Sequence, residues 1–467
     1  MSDKDKTLLI VILAIISLCG CFAASCCAAS LYLVSRTDRN TIQEFLSDNL
    51  NDMSESNPVS GSIEVTEENT DEDFNSEVLS KAEQSIIAET EKTRGLSGQG
   101  TMVPIYQSED ELREHLTKQM DEISDEELED ESALYNLLGF APEDFDLRQF
   151  YVDLYTEQIA GYYDPEDNRM YLIQNSSPYD NAIVLSHEYT HYLQYNNPDF
   201  AKTLIHEDDF CEENGETCIV IDAIIEGDAT LTENLIDTDA ILKNYRNDSY
   251  SESASTNSVL DSSPKFFQDS LLFPYIYGFD FVSYHYLKGG FDAVNDLYIN
   301  LPQSVEQIMH PEKYLKDAPV EVTLDPFKSI ITENFDIIRE DVFNESDVKM
   351  IFSDGYNEDW QLSDRQASTA AEGWGGGSYI FAKNDGKHIF FSKSVWDTEK
   401  DAEEAESMFG QYCDKRFGNQ KSDNSWLTDK NSKVYLIRQN DILYWMILPD
   451  NFDSEKFVDL IRHGSIL

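Results

Sequence analysis

Residues 176–198, SSPYDNAIVLSHEYTHYLQYNNP, constrain this chain more than any other stretch. Ser177 suits a helix cap, Pro178 the first helical position, and Asp180 the third residue past the cap, as in a capping box. Asn196-Asn197-Pro198 supplies the stop. The segment between is predicted as one helix, so His187 and His191, four residues apart, point the same way. Two imidazoles at that spacing can share one zinc ion, each at about 2.0–2.1 Å. Glu188 projects beside them, placed to take a proton from water without ligating the metal. The plain alternative is a tyrosine-rich packing helix with two incidental histidines.

A catalytic zinc commonly has three protein ligands and one open position. A histidine six residues after the second is ruled out, because Asn197 stands there and Gln194 replaces the glycine such a turn needs. Glu226 in AIIEGDATLTE is the better candidate. It follows Ile224 and Ile225 in a core-facing segment, where a buried carboxylate is costly and a cation relieves the cost. Gly227 would let that helix approach the HEYTH helix closely. Its plain alternative is a solvated acid on an acidic protein.

Upstream, IAGYYDPEDNRMYLIQ reads as strand, turn, strand. Helices are expected in SEDELREHLTKQMDEI, around ESALYNLLGF, and in RQFYVDLYTEQIA. Others are expected in CIVIDAIIEGDATLTENLI and FPYIYGFDFVSYHYLKGG, continuing to about residue 315. Past residue 320, two hairpins alternate with two helices in β-β-α-β-β-α order, which predicts a separate small α+β unit. GWGGG at 373–377 lacks the Lys-Ser/Thr of a phosphate loop and reads as a flexible turn.

The constellation TEQIAGYYDPEDNRMYLI, HEYTHYLQ, IIEGDATLTE, FPYIYGFDFV and NLPQSVEQIMHPEKYL resembles the gluzincins, zinc metallopeptidases with His, His and Glu ligands. It is similar to a little-characterised, membrane-anchored group of predicted metallopeptidases of that clan. The likeness runs from about residue 92 to 315, and more faintly through GWGGGSYIF and VWDTEKDAEEAESMF. It implies a mainly helical catalytic fold with an edge strand above the active-site helix and one Zn2+ in the cleft below. His187, His191 and Glu226 would be the metal ligands and Glu188 the general base. By the same likeness, the strand at Arg169–Ile173 could pair with an extended peptide. FPYIYG supplies Tyr275 and Tyr277 as oxyanion donors, with Tyr275 preferred; His285 and His310 are lesser candidates. Thermolysin-like members place an aspartate four residues after the ligand glutamate, where Thr230 stands here; Asp222 or Glu233 could orient a histidine instead.

Residues 7–34 contain no charged side chain over 28 positions, longer than the roughly 20 needed to cross a bilayer. A single uncleaved anchor is expected after a tail at 1–6. A lipoprotein signal at Leu18-Cys19-Gly20-Cys21 is the rival. Residues 35–92 read as an acidic, disordered or loosely helical stalk, 93–320 as the catalytic unit and 321–467 as the C-terminal unit. Cys211 and Cys218 flank CEENGETC, a spacing that either a disulfide or two reduced thiols satisfies; a disulfide suits an extracytoplasmic domain. The formal charge of −56 excludes nucleic acid as a partner. The reading is an α+β, single-pass membrane protein whose catalytic part cleaves peptide or protein substrates. The rival from another class is a surface-tethered binding module with a structural or degenerate zinc site, and a zinc hydrolase of non-peptide substrates is a third.

Overall fold

The computed structural model describes residues 78–174, 178–204, 211, 214–236, 258–421 and 425–463. The anchor expected over 7–34, most of the stalk and Ser177 lie outside the described residues. Among the described residues no helix is long and apolar enough to cross a membrane. The architecture is α+β, with a helical assembly carrying a three-stranded sheet and a second, six-stranded sheet.

The chain enters through α1 (Lys81–Arg94), inside the stretch expected to be stalk; Ile86, Thr90 and Arg94 are buried. Helices α2 (Glu109–Glu122) and α3 (Asp125–Leu138) follow. All three start alike: Ser80, Ser108 and Ser124 each accept from the backbone N–H three residues on, and Glu83, Glu111 and Glu127 reach back. Each pair satisfies two N–H groups that the helix cannot. On α2, Leu112, Leu116 and Met120 recur every fourth residue and bury one stripe. Helix α4 (Leu147–Gln158) then leads into β2 (Gly161–Asp164), β3 (Arg169–Ile173) and α5 (Pro178–Tyr195).

The small sheet corrects one expectation. Strand β1 (Ile105–Gln107) pairs with β3 in parallel, and β2 pairs with its other side antiparallel, giving the order β1-β3-β2. Arg169–Ile173 is therefore the central strand and not an edge, paired with β1 over Tyr171–Ile173 and with β2 over Arg169–Leu172, which leaves it no free edge along its length for an extended peptide. β1 was invisible in the sequence because it is only three residues long, immediately before the α2 cap.

Helix α6 (Gly215–Leu235) is buried almost all round, as expected for a helix apolar on most faces. The Cys211–Cys218 disulfide is formed at its start, with Cα atoms 5.0 Å apart. Helix α7 (Lys265–Ile299), interrupted at Gly289 and Gly290, crosses α6 at two glycines. A Cβ on Gly227 would lie 2.3 Å from the Gly278 carbonyl oxygen, and one on Gly278 would lie 2.2 Å from that of Ala223. Gly227 thus permits close approach, but to α7 and not to the HEYTH helix.

The large sheet runs β4 (Asp336–Val342), β5 (Trp374–Asn384), β6 (Lys387–Trp396), β9 (Ile442–Leu448), β8 (Lys433–Gln439), β7 (Ser425–Leu427), all neighbours antiparallel. The two expected hairpins are its middle, and β4 and β7 extend it. Phe381, Phe390 and Trp445 pack on one face with α8 (Glu345–Ser353), α9 (Asp364–Ala371), α10 (Glu399–Phe417) and Leu134 and Leu138 of α3. Their neighbours Ile380, Phe391 and Met446 pack on the other with α11 (Ser454–His463) and the helix Asp325–Ile331. Adjacent residues alternating between two cores is the signature of a sheet covered on both sides. Trp374–Gly377 are strand residues, not the flexible turn expected. Cβ atoms on Gly376 and Gly377 would lie 2.3 Å from the carbonyl oxygens of Val320 and Phe343, so the glycines admit crossing backbone.

Candidate metal centre

Helix α5 sets His187 edge-on to His191 with ring centroids 4.7 Å apart, and both side chains are fully buried. Glu226 reaches them from α6: its Oε2 lies 3.0 Å from His187 Nε2 and 3.7 Å from His191 Nε2. One donor atom from each residue lies within 4.8 Å of the other two. Three tetrahedral ligands at zinc bond lengths stand about 3.3 Å apart, close to these separations. Two polar atoms facing the group, His191 Nε2 and Glu226 Oε1, are buried without a hydrogen-bond partner. Burial pushes the Glu226 carboxyl up, but the adjoining His191 and His187 imidazoles outweigh it and hold the group below the usual carboxylate range. Two nitrogens and an anionic oxygen, converging with unsatisfied capacity, fit a single zinc ion.

The supporting groups explain why both rings face inward. His187 Nδ1 lies 3.1 Å from Glu233 Oε2. His187 thus lies between two carboxylates, with Nε2 3.0 Å from Glu226 Oε2; with a cation between Nε2 and Glu226, Nδ1 would donate to Glu233 and leave the Nε2 lone pair for the ion. Of the two residues expected to orient a histidine, Glu233 does so; Asp222 lines a neighbouring cavity. His191 Nδ1 donates to Gln194 Oε1 at 2.9 Å. The amide is held that way round because its Nε2 donates to the Ile225 carbonyl and to Asp228 Oδ2, each at 3.1 Å. Asp228 in turn forms a 2.7 Å ion pair with Arg94 of α1 and accepts from the Tyr298 hydroxyl at 2.8 Å. Sequence reasoning missed Gln194, Asp228 and Arg94 in these roles. Gln194 was findable, since it stands three residues after His191 on the same helix face. Nothing local announces Arg94.

Glu188 is fully buried on α5 beside His187. Tyr275 is buried on α7, its ring centroid 6.4 Å from that of His187. Tyr277 turns elsewhere: its hydroxyl accepts from Lys349 at 2.8 Å and its ring stacks on Phe273. The lesser candidates are engaged away from the triad. His285 packs between Phe281 and Tyr314, where burial pushes its pKa down to about 4. His310 bonds Glu345 at 2.9 Å, which raises its pKa. A second acidic group, Glu306, Asp317 and Asp397, encloses the Lys313 ammonium at 2.5, 3.3 and 3.4 Å, so a cation of the chain itself already occupies it.

Residues 333–456, covering β4 to the start of α11, match the model of a family described as a domain of unknown function (DUF8575). No curated protein and no solved structure matches the chain.

Proposed function

We propose that the protein is a membrane-anchored zinc metallopeptidase of gluzincin type, with its catalytic unit over residues 93–320 held outside the cytoplasm by the segment at 7–34. The observation that carries this reading is the convergence of His187, His191 and Glu226 at bonding separation, from a helix that also carries Glu188. When bound, the ion would polarise the scissile carbonyl and acidify a water molecule. Glu188 accepts the proton of that water and delivers it to the departing amine. Tyr275 donates a hydrogen bond, without giving up its proton, to the oxygen that gains negative charge at the tetrahedral carbon. Glu233 and Gln194 hold the two imidazoles in the tautomer whose Nε2 carries the lone pair, and the apolar residues of α6 keep bulk water from the group.

The rival reading, a tethered binding module with a structural zinc, calls for a closed set of four protein ligands. Among the described residues three donors converge, and Glu233, a further buried acid beside them, is committed to the far nitrogen of His187. That favours a site with one open position. The test is metal analysis and peptide digestion by the purified protein. Glu188→Ala should retain stoichiometric zinc and lose at least about a hundredfold in turnover, and His187→Ala should lose the zinc itself. Full peptidase activity in Glu188→Ala would overturn the mechanism.

A further inference from the structure

A cavity of about 330 Å3, unused so far, has Glu226 and Tyr275 in its lining. Its volume falls within the range of ligand sites, roughly 300–1,000 Å3. One side is helical and aromatic, including Tyr155, Phe267 and Phe273. The opposite side belongs to the large sheet and the helix after it: Val342 and Tyr379 from β4 and β5, and Met350 from α8.

The ionisable groups in the wall select against acids. Among the described residues Arg339 is the one cation in the lining, and its Nη2 is bound to Glu131 at 2.6 Å. Glu216 accepts from the Val305 N–H at 2.8 Å, Asp341 from Gly215 at 3.2 Å, and Asp347 from Asn344 at 3.0 Å. These carboxyls accept from backbone donors in a wall whose burial raises the pKa of each, so an incoming carboxylate would lose its water there with the one cationic neighbour already engaged. An apolar group gains instead, by transfer from water to an aromatic surface.

We propose that this cavity receives a large apolar or aromatic substrate side chain adjoining the scissile bond and rejects an acidic one, with the C-terminal sheet supplying its outer wall. The proposal rests on the peptidase reading above. It makes residues 336–350 specificity elements of the catalytic site in place of a separate recognition module.

The test uses the full chain and peptides acetyl-Gly-Ala-X-Ala-Gly-amide, with X as Phe, Leu, Ala, Lys or Asp, and products read by mass spectrometry. Phe and Leu peptides should be cleaved at least about tenfold faster than Ala, with Asp slowest. Val342→Trp and Met350→Trp, which narrow the cavity from the sheet side, should each cut the Phe-to-Ala ratio about tenfold while zinc content holds. Calorimetry on Glu188→Ala adds a readout without turnover, in which the Phe peptide binds more tightly than the Asp peptide. An active enzyme indifferent to X, zinc-loaded Trp variants with wild-type preference, or equal Phe and Asp binding would overturn the specificity proposal alone. A zinc-free wild type that neither cleaves nor binds any of these peptides would remove the peptidase reading beneath it as well.

Discussion

Replacing Asp228 by alanine tests whether the buried network behind His191 holds the fold and the metal site together. Asp228 and Arg94 have fully buried side chains, and their ion pair is 2.7 Å long. The guanidinium otherwise meets Asn295 at 2.8 Å and the faces of Phe291 and Phe200. Removing one member of such a pair strands a charge in the interior, at a cost of about 3–5 kcal/mol. The Tyr298 hydroxyl and the Gln194 amide also lose an acceptor, adding about 1 kcal/mol or more. The total approaches the whole of a typical folding stability of about 5–15 kcal/mol. Urea unfolding followed by tryptophan fluorescence should show that loss in Asp228→Ala. The double variant Asp228→Ala/Arg94→Met, which removes the stranded charge, should recover about 2 kcal/mol or more of it. Zinc affinity supplies a second measure: with Gln194 able to turn its amide, His191 loses its orienting acceptor and binding should weaken about 10–100-fold. A single variant costing under about 1 kcal/mol, or a double no better than the single, would refute the assignment of a charge-holding role.

Two further perturbations address other parts of the fold. Burial raises the Glu216 pKa to about 8, so the folded chain keeps a proton that the unfolded chain releases near 4.5. The associated stability is full below pH 4.5 and drains away as pH rises to 8. Glu216→Gln should remove that part of the slope, stabilising the protein at pH 8.5 by on the order of 2 kcal/mol and hardly at about pH 5, and equal effects at both pH values would contradict it. Gly278→Ala would drive a Cβ to 2.2 Å from the Ala223 carbonyl oxygen, push α6 from α7 and displace Glu226. A thermal melt should register a loss of about 1–3 kcal/mol together with weaker zinc retention, and an unchanged melt would show that the crossing yields freely.

The parts of the site that could be read in advance share one property: their geometry is local. His187, Glu188 and His191 occupy one helical turn, and punctuation at both ends of the segment marks the helix. Glu226 was legible because a carboxylate between Ile225 and Gly227 in a buried helix calls for compensation, and Glu233 because it lies two turns further on the same element. What escaped depends on distant chain. Arg94 reaches Asp228 from the last residue of a helix whose first twelve residues fall in the expected stalk, where the acidic flanks hid a buried face. Strand β4, DIIREDV, is rich in charge and half exposed, so no clean alternation marks it. The GWGGG stretch misled for a related reason: glycine signals loose backbone locally, whereas here it admits the carbonyls of Val320 and Phe343.

The charge inventory around the triad explains why a divalent cation suits it better than hydrophobic packing would. Glu188, Glu226 and Glu233 all lie in the interior, at 0, 2 and 6 % exposure, with two imidazoles between them. The neighbouring Asp228 contributes nothing to this balance, because Arg94 answers it. A helix core built for packing alone would place apolar groups at these positions, since burying even one carboxylate costs several kcal/mol unless it is matched. A single +2 ion at the focus of His187, His191 and Glu226 offsets the anions collectively and engages the two atoms, His191 Nε2 and Glu226 Oε1, that lack hydrogen bonds. On the proposed reading the same ion would separate the carboxylates by role, with Glu226 holding it, Glu233 fixing the tautomer of one of its ligands, and Glu188 moving a proton beside it. Three buried acids with three distinct roles are therefore better understood as one site than as three separate costs to the fold.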